Sequence, residues 1–232
     1  MIRAVIFDLD NTLVDFMAMK GKAVDAAVTA MIDAGLTLEP GDVRARIDQI
    51  YQEKGIEYQT VFDSLLYDIF NKVDYKILSA GIIAYRRARE AALVPYPHVH
   101  LTLMSLLKKG LLLGVVTDAP ARAAWLRLCG LGFHHIFHAV VTFDDTGVRK
   151  PQPEPFRKAL ELLKVAPGEA LMIGDWAERD MVGASNLGMK TVFARYGDTF
   201  GTLVTHADFE IRDVKDLLGI VAAEDGGGAV NG

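Results

Sequence analysis

Five short apolar runs frame this chain: "AVIF" at 4–7, "LLLGVV" at 111–116, "AVV" at 139–141, "ALMI" at 170–173 and "TVFA" at 191–194. Most are continuous rather than alternating, the pattern of strands covered on both faces by helices. Helical stretches fall between them. After Pro97 a run through Leu101, Met104 and Leu107 stops at Gly110, behind Lys108 and Lys109. Pro120 opens a second, through Ala124 and Leu128 to Gly130. Phe156, Ala159, Leu160 and Leu163 keep the i, i+3, i+4, i+7 spacing of a third, and a fourth starts near Glu178 and stops at Gly188. Strand and helix in alternation predict a doubly wound α/β domain with a parallel sheet and right-handed crossovers.

Residues 15–93 break the alternation and carry helical periodicity alone. Val24, Ala27, Val28, Met31 and Ile32 share one face. After "EPGD" at 39–42, Val43, Ile47, Ile50 and Tyr51 share a second; Val61, Leu65 and Ile69 make a third, and Leu78, Ile82 and Tyr85 a fourth. The insertion predicts a small all-α lobe laid over the sheet, with Phe62, Leu66 and Phe70 in its core and Arg86, Arg87 and Arg89 on a solvated face. The expected division is therefore a discontinuous α/β core, 1–14 and 94–220, a helical cap at 15–93 and a low-complexity flexible tail at 221–232.

At 232 residues, 51% hydrophobic and 24% charged, the chain can bury one sizeable core and a small accessory domain. A net charge of −5 without any Lys/Arg block argues against nucleic acid and anionic membrane as partners. No apolar run approaches the ~20 residues that span a bilayer, and no charged-then-apolar leader precedes the first strand. Cys129 is the only cysteine, so no intrachain disulfide can form; within "LRLCGL" it reads as a packed thiol. A cytoplasmic protein is expected.

Chemistry concentrates where ligands bind in open α/β sheets, beyond the carboxyl ends of the strands. The first run ends in Asp8 and Asp10, the second in Thr117 and Asp118, and the fourth in Asp175, with Asp180 five residues on; Lys150 follows the third. Two aspartates one residue apart at a buried strand end repel, at a cost of several kcal/mol unless a cation intervenes. Carboxylates from two strand ends make a hard, oxygen-rich site suited to Mg²⁺, which keeps waters and open positions for a phosphate oxygen. Lys150 supplies a second cation, and the Thr117 hydroxyl can hold phosphoryl oxygens. One carboxylate at such a site can act as nucleophile, and another can protonate the leaving oxygen and then activate water.

These residues, in order, resemble the haloacid dehalogenase superfamily of phosphohydrolases, in the branch with a helical cap inserted between the first two motifs. Asp8-Leu9-Asp10-Asn11-Thr12 matches its Asp-x-Asp-x-Thr, Thr117 its strand-end hydroxyl, Lys150 its lysine, and Gly174-Asp175 with Asp180 its acidic motif. The resemblance implies that Asp8 is the nucleophile and Asp10 the acid/base. It places Mg²⁺ on Asp8, Asp175 and the backbone carbonyl of Asp10, supported by Asp180. Thr12 would orient Asp10, while Thr117, Lys150 and the Asp118 position bind the phosphate.

The chain departs from the family pattern at three positions. Asp118 stands where Asn is usual; its side chain is expected to cap the Pro120 helix or point away, because facing phosphate it would repel it. Trp176 replaces a small residue and either borders the substrate pocket or packs beneath the cap, and Arg179 stands where Asn is frequent. Phe16 and Lys20, at the start of the cap, are candidate specificity residues, and the histidines at 98, 100, 134, 135 and 138 have no metal-binding spacing.

The resemblance implies a Mg²⁺-dependent phosphatase of a small phosphorylated metabolite. Asp10 argues against a 2-haloacid dehalogenase and Thr12 against a sugar-phosphate mutase. A phosphonate hydrolase needs a cap lysine in an apolar site, and none of Lys20, Lys22, Lys54, Lys72 and Lys76 reads as one. A non-catalytic phosphoryl-binding regulator would not need both Asp10 and Thr12.

Overall fold

A computed structural model describes residues 1–226. The chain divides into two compact units: Phe16–Leu93, and a second built from Met1–Asp15 with the chain from Val94 onward.

The first unit is all helical: α1 (Phe16–Asp33), α2 (Pro40–Lys54), α3 (Val61–Phe70) and α4 (Tyr75–Ala92). Two of them start where local chemistry dictates. Pro40 enters the first turn of α2, where its missing N–H costs nothing. Asp74 caps α4 by accepting from the N–H groups of Lys76 and Ile77. Val24, Ala27, Val28 and Met31 of α1 meet Val43 and Ile47 of α2, Phe62, Leu65 and Leu66 of α3, and Ile77 and Leu78 of α4 in one buried cluster. Gly81 lets α4 approach α1 closely, since a Cβ there would lie 2.7 Å from Met31 Cγ.

The second unit is a six-stranded, all-parallel sheet: β1 (Ala4–Phe7), β2 (Leu112–Val116), β3 (Ala139–Val141), β4 (Ala170–Gly174), β5 (Lys190–Ala194) and β6 (Phe209–Ile211), in the order β3-β2-β1-β4-β5-β6. The helices are α5 (Val99–Lys108), α6 (Ala121–Gly130), α7 (Phe143–Thr146), α8 (Pro153–Leu163), α9 (Val182–Ser185) and α10 (Leu217–Gly226). On one face of the sheet Val5, Phe7, Leu113, Val115, Leu171 and Ile173 pack with Val99, Leu103 and Leu106 of α5 and Ala124 and Leu128 of α6. On the other, Ala4, Ile6 and Met172 pack with Phe156, Ala159, Leu160 and Leu163 of α8. Covering both faces is what makes the strand sequences continuously apolar.

Several expectations are corrected. The buried face of α5 is Val99, Leu103 and Leu106, while Leu101 is exposed; the helix carries two apolar stripes, and the i, i+4, i+7 stripe faces the sheet. The helix expected from Glu178 to Gly188 is a π turn, Ala177–Met181, continued by α9. Cys129 is exposed rather than packed, because Ala124 and Leu128 take the buried side of α6. The tail expected from 221 is helical to residue 226, since Leu217 and Val221, one turn apart, are both buried in the core; residues 227–232 lie outside the described residues. No described helix is long and apolar enough to cross a membrane.

Candidate active site

The strand order reverses direction between β1 and β4, and a crevice opens at such a switch point beyond the carboxyl ends. Asp8 follows β1 and Asp175 follows β4. The Asp8 N–H donates to Ile173 O at 2.8 Å, carrying the β1–β4 ladder one residue further and setting the two aspartates side by side. Asp180 completes the group. Asp8, Asp175 and Asp180 are all buried, and each offers a carboxylate oxygen within 4.8 Å of the others.

Asp180 reaches this point through the π turn, a conformation that recurs at functional sites. Its Oδ2 accepts from the Trp176 N–H at 3.1 Å. Gly174 leaves the room: a Cβ there would fall 2.2 Å from Asp180 Oδ2. This accounts for the glycine beside Asp175.

Lys150 enters between the acids. Its Nζ donates to Asp8 Oδ1 at 2.6 Å, Asp180 Oδ1 at 2.6 Å and Val116 O at 3.1 Å. An ammonium has three donors, and all three are used. Burial alone would push this lysine toward its neutral form, but Asp180, Asp8 and Asp118 outweigh it and hold the ammonium well above the ordinary lysine range. Burial also pushes Asp175 up, and the charges of Asp8 and Asp180 add to this against Lys150. Asp180 is raised by burial too, although Lys150 opposes the shift. With all three acids ionised, three carboxylates against one ammonium would leave two negative charges in excess. That imbalance joins burial in raising Asp175 and Asp180, and a cation would relieve it. An oxygen-only donor set with that excess fits a divalent hard cation.

Asp10 stands apart from the cluster. Its Oδ2 lies 3.2 Å from Arg127 Nη1. The clustered carboxylates are therefore those of Asp8, Asp175 and Asp180, while the part expected of Asp10 lies with its backbone carbonyl. Arg127 was not expected. It is buried on α6 between Ala124 and Leu128, and an arginine inside an apolar helical stripe is a readable signal, since a buried charge needs a partner. Thr12 donates its hydroxyl to Asp175 Oδ1 at 3.2 Å rather than orienting Asp10, and its carbonyl accepts from the Tyr196 hydroxyl at 2.8 Å. Asn11 takes a left-handed φ of 58° in this loop. Gly197 packs directly on it, where a Cβ would fall 1.7 Å from Asn11 O.

Thr117 is buried and its Oγ1 accepts from the Ala119 N–H at 3.2 Å. Of the two alternatives expected for the Asp118 side chain, capping α6 or pointing away, the first fails. The side chain does not cap α6, because the Ala121 N–H is taken by Asp144 Oδ2 at 2.7 Å. Its carboxylate is held elsewhere. Oδ1 accepts from the Lys150 backbone N–H at 2.9 Å, and Oδ2 from Arg179 Nη1 at 3.0 Å. The Arg179 guanidinium lies over the Trp176 ring at 3.7 Å, and that ring also meets Phe200 with centroids 4.5 Å apart.

The two specificity candidates at the start of α1 belong to the helical unit. Phe16 is buried. Lys20 is buried as well, and its Nζ donates to Ile56 O at 2.8 Å and lies 4.1 Å from the Tyr51 ring centroid and 5.5 Å from that of Tyr85. Carbonyl and ring faces inside the helical unit stabilise the Lys20 charge. Lys20 is also a lysine in an aromatic-lined site, which the sequence did not reveal.

The family model described as "Haloacid dehalogenase-like hydrolase" matches residues 5–194. The chain is 37% identical over 227 residues to a glyceraldehyde 3-phosphate phosphatase of Methanopyrus kandleri, covering 95% of this chain and 97% of the relative. A glyceraldehyde 3-phosphate phosphatase of Methanocaldococcus jannaschii is 36% identical, with coverages of 95% and 97%. Among solved structures, the HAD phosphatase of Thermococcus onnurineus is 27% identical, with a TM-score of 0.67 over 95% of this chain and 98% of the other.

Proposed function

The chain belongs to the haloacid dehalogenase-like hydrolase family and is one of its phosphatases, and from that premise we propose that Asp8, Asp10 and Lys150 hydrolyse a small phosphorylated metabolite through an aspartyl-phosphate. The observation that carries this reading is the Lys150 ammonium at 2.6 Å from both Asp8 and Asp180, with Asp175 beside them at the switch point of the sheet.

Asp8 attacks phosphorus, the bond to the leaving oxygen breaks, and a protonated Asp10 gives that oxygen its proton. Asp10, now a carboxylate, takes a proton from water as the water attacks the aspartyl-phosphate, which frees phosphate and restores Asp8. The Arg127 guanidinium favours the carboxylate form that this second half requires. Lys150 offsets the negative charge of nucleophile and phosphoryl group together, and the Thr117 hydroxyl binds a phosphoryl oxygen. Mg²⁺, held by Asp8, Asp175 and Asp180, would neutralise charge on the phosphoryl oxygens when bound. The helical unit serves as the cap that selects the substrate, and the setting is cytoplasmic.

Glyceraldehyde 3-phosphate, named for the relatives, is the first substrate to assay. Phosphate release with Mg²⁺ should be compared across it, other sugar phosphates, nucleotides, pyrophosphate and p-nitrophenyl phosphate. A preference for three-carbon phosphates is expected, and no turnover of any of them would reject the reading. Intact-protein mass after an acid quench tests the roles: Asp10→Asn should accumulate the phosphoryl group, and Asp8→Asn should carry none.

A further inference from the structure

The contacts around Lys150 close into a ring. The Trp176 N–H holds Asp180 Oδ2, Asp180 Oδ1 accepts from Lys150 Nζ, the Lys150 N–H is held by Asp118 Oδ1, Asp118 Oδ2 accepts from Arg179, and the Arg179 guanidinium stacks back on the Trp176 ring. Three separate loops meet in it: those after β2, after β3 and after β4. We propose that Asp118 and Arg179 are a positioning pair for Lys150, a role that rests on the phosphatase reading of that lysine.

The physical need is plain. A lysine ammonium rides on a flexible four-carbon stem, yet Nζ must stay within hydrogen-bond reach of Asp8 and Asp180 at once. Fixing the stem requires fixing the backbone from which it grows, and the Asp118 carboxylate holds the Lys150 N–H. A lone carboxylate would turn about its own side-chain torsions and could offer either oxygen. Arg179 removes that freedom by holding Oδ2. Arg179 is itself restrained, because its planar guanidinium lies flat against an indole. With both carboxylate oxygens committed, Asp118 acts through Lys150 and touches no substrate. The Arg179 side chain is 34% exposed, so its removal leaves a space that water can fill.

The test is a double-mutant cycle with Asp118→Asn, Arg179→Gln and the double variant, with Lys150→Ala as the control for the reading itself. Each single variant should lower kcat about tenfold and leave KM within about twofold. The double variant should be no slower than the slower single, because the two act as one unit. Arg179→Lys should rescue only in part, since an ammonium cannot stack as a plane. A second readout is independent of turnover: amide exchange at Lys150, followed by NMR, should quicken about tenfold in Arg179→Gln.

Losses that multiply in the double variant would overturn the pair, as would a raised KM at constant kcat, which would make Arg179 a substrate contact. Unchanged Lys150 exchange would overturn it even if activity fell. Wild-type protein without phosphatase activity would instead remove the functional reading, and the exchange arm would still decide whether the pair positions Lys150. If an Asp118 variant does not fold, Arg179→Gln and Arg179→Lys carry the test alone.

Discussion

Replacing Gly174 with alanine should damage the site through a single methyl group. The added Cβ would lie 2.2 Å from Asp180 Oδ2, 2.3 Å from its Cγ and 2.6 Å from its Cβ. Relief to ordinary contact requires a shift of about 1 Å in a carboxylate that is 1% exposed and held on both oxygens. A shift of that size breaks the 3.1 Å bond from Trp176 or the 2.6 Å bond from Lys150. Overpacking costs about 1–3 kcal/mol and a lost bond to a charged group about 1.5–3 kcal/mol, so about 2.5–6 kcal/mol is expected. For a chain of this size that is a fall in melting temperature of about 10 °C. Lys150 shares the displacement, so kcat should drop about 10²-fold. The assay pairs a thermal melt with turnover of p-nitrophenyl phosphate, and Gly168→Ala is the control, because a Cβ there meets nothing within 4 Å. A Gly174→Ala protein that melts and turns over like wild type would refute the reasoning.

Three further outcomes follow from the same geometry. Chelation should abolish phosphate release, and Mg²⁺ should restore it and raise the melting temperature, by about 2.7 kcal/mol of stability at a hundred times its dissociation constant; a melt indifferent to Mg²⁺ would remove the metal assignment. Arg127→Met should cost about 1–3 kcal/mol of stability by taking the guanidinium from Asp10, and should slow hydrolysis of the phosphoryl-enzyme more than its formation; equal slowing in rapid-quench kinetics would contradict the role given to Asp10. Gly219→Ala, on the exposed side of α10 with open space around it, should stabilise the protein by about 1 kcal/mol in chemical denaturation, and a loss would contradict the helix there.

The sheet and the polar strand ends were legible because both follow from local rules. A strand buried on two faces must be continuously apolar, and a polar residue at its carboxyl end then stands out, as Asp8 and Asp175 do. What stayed hidden depends on partners far away in sequence. Asp118 reads as a misplaced charge until Arg179, 61 residues on, is seen against it. Thr12 finds Asp175 across 163 residues, and no spacing rule foretells that choice over its neighbour Asp10. Lys20 read as a candidate specificity residue, and its aromatic setting stayed hidden because its rings, Tyr51 and Tyr85, sit on other helices. β6 is three residues long at the sheet edge and only Ile211 of it is buried, so no apolar run announced it. Arg127 was readable in principle, because its position fell inside a stripe already assigned to the core.

The short neck between strand β1 and helix α5 bears on how such chains diversify. Val14 pairs with Pro95, and the Tyr96 N–H donates to Leu13 O at 3.0 Å. Within the sheet unit, the two ends of the segment 16–93 are therefore held side by side. Closing a loop costs free energy that grows merely with the logarithm of its length, and here closure is carried out at the neck whatever lies beyond it. Residues between 16 and 93 can accordingly be lengthened, shortened or exchanged without asking β1 to change its neighbours.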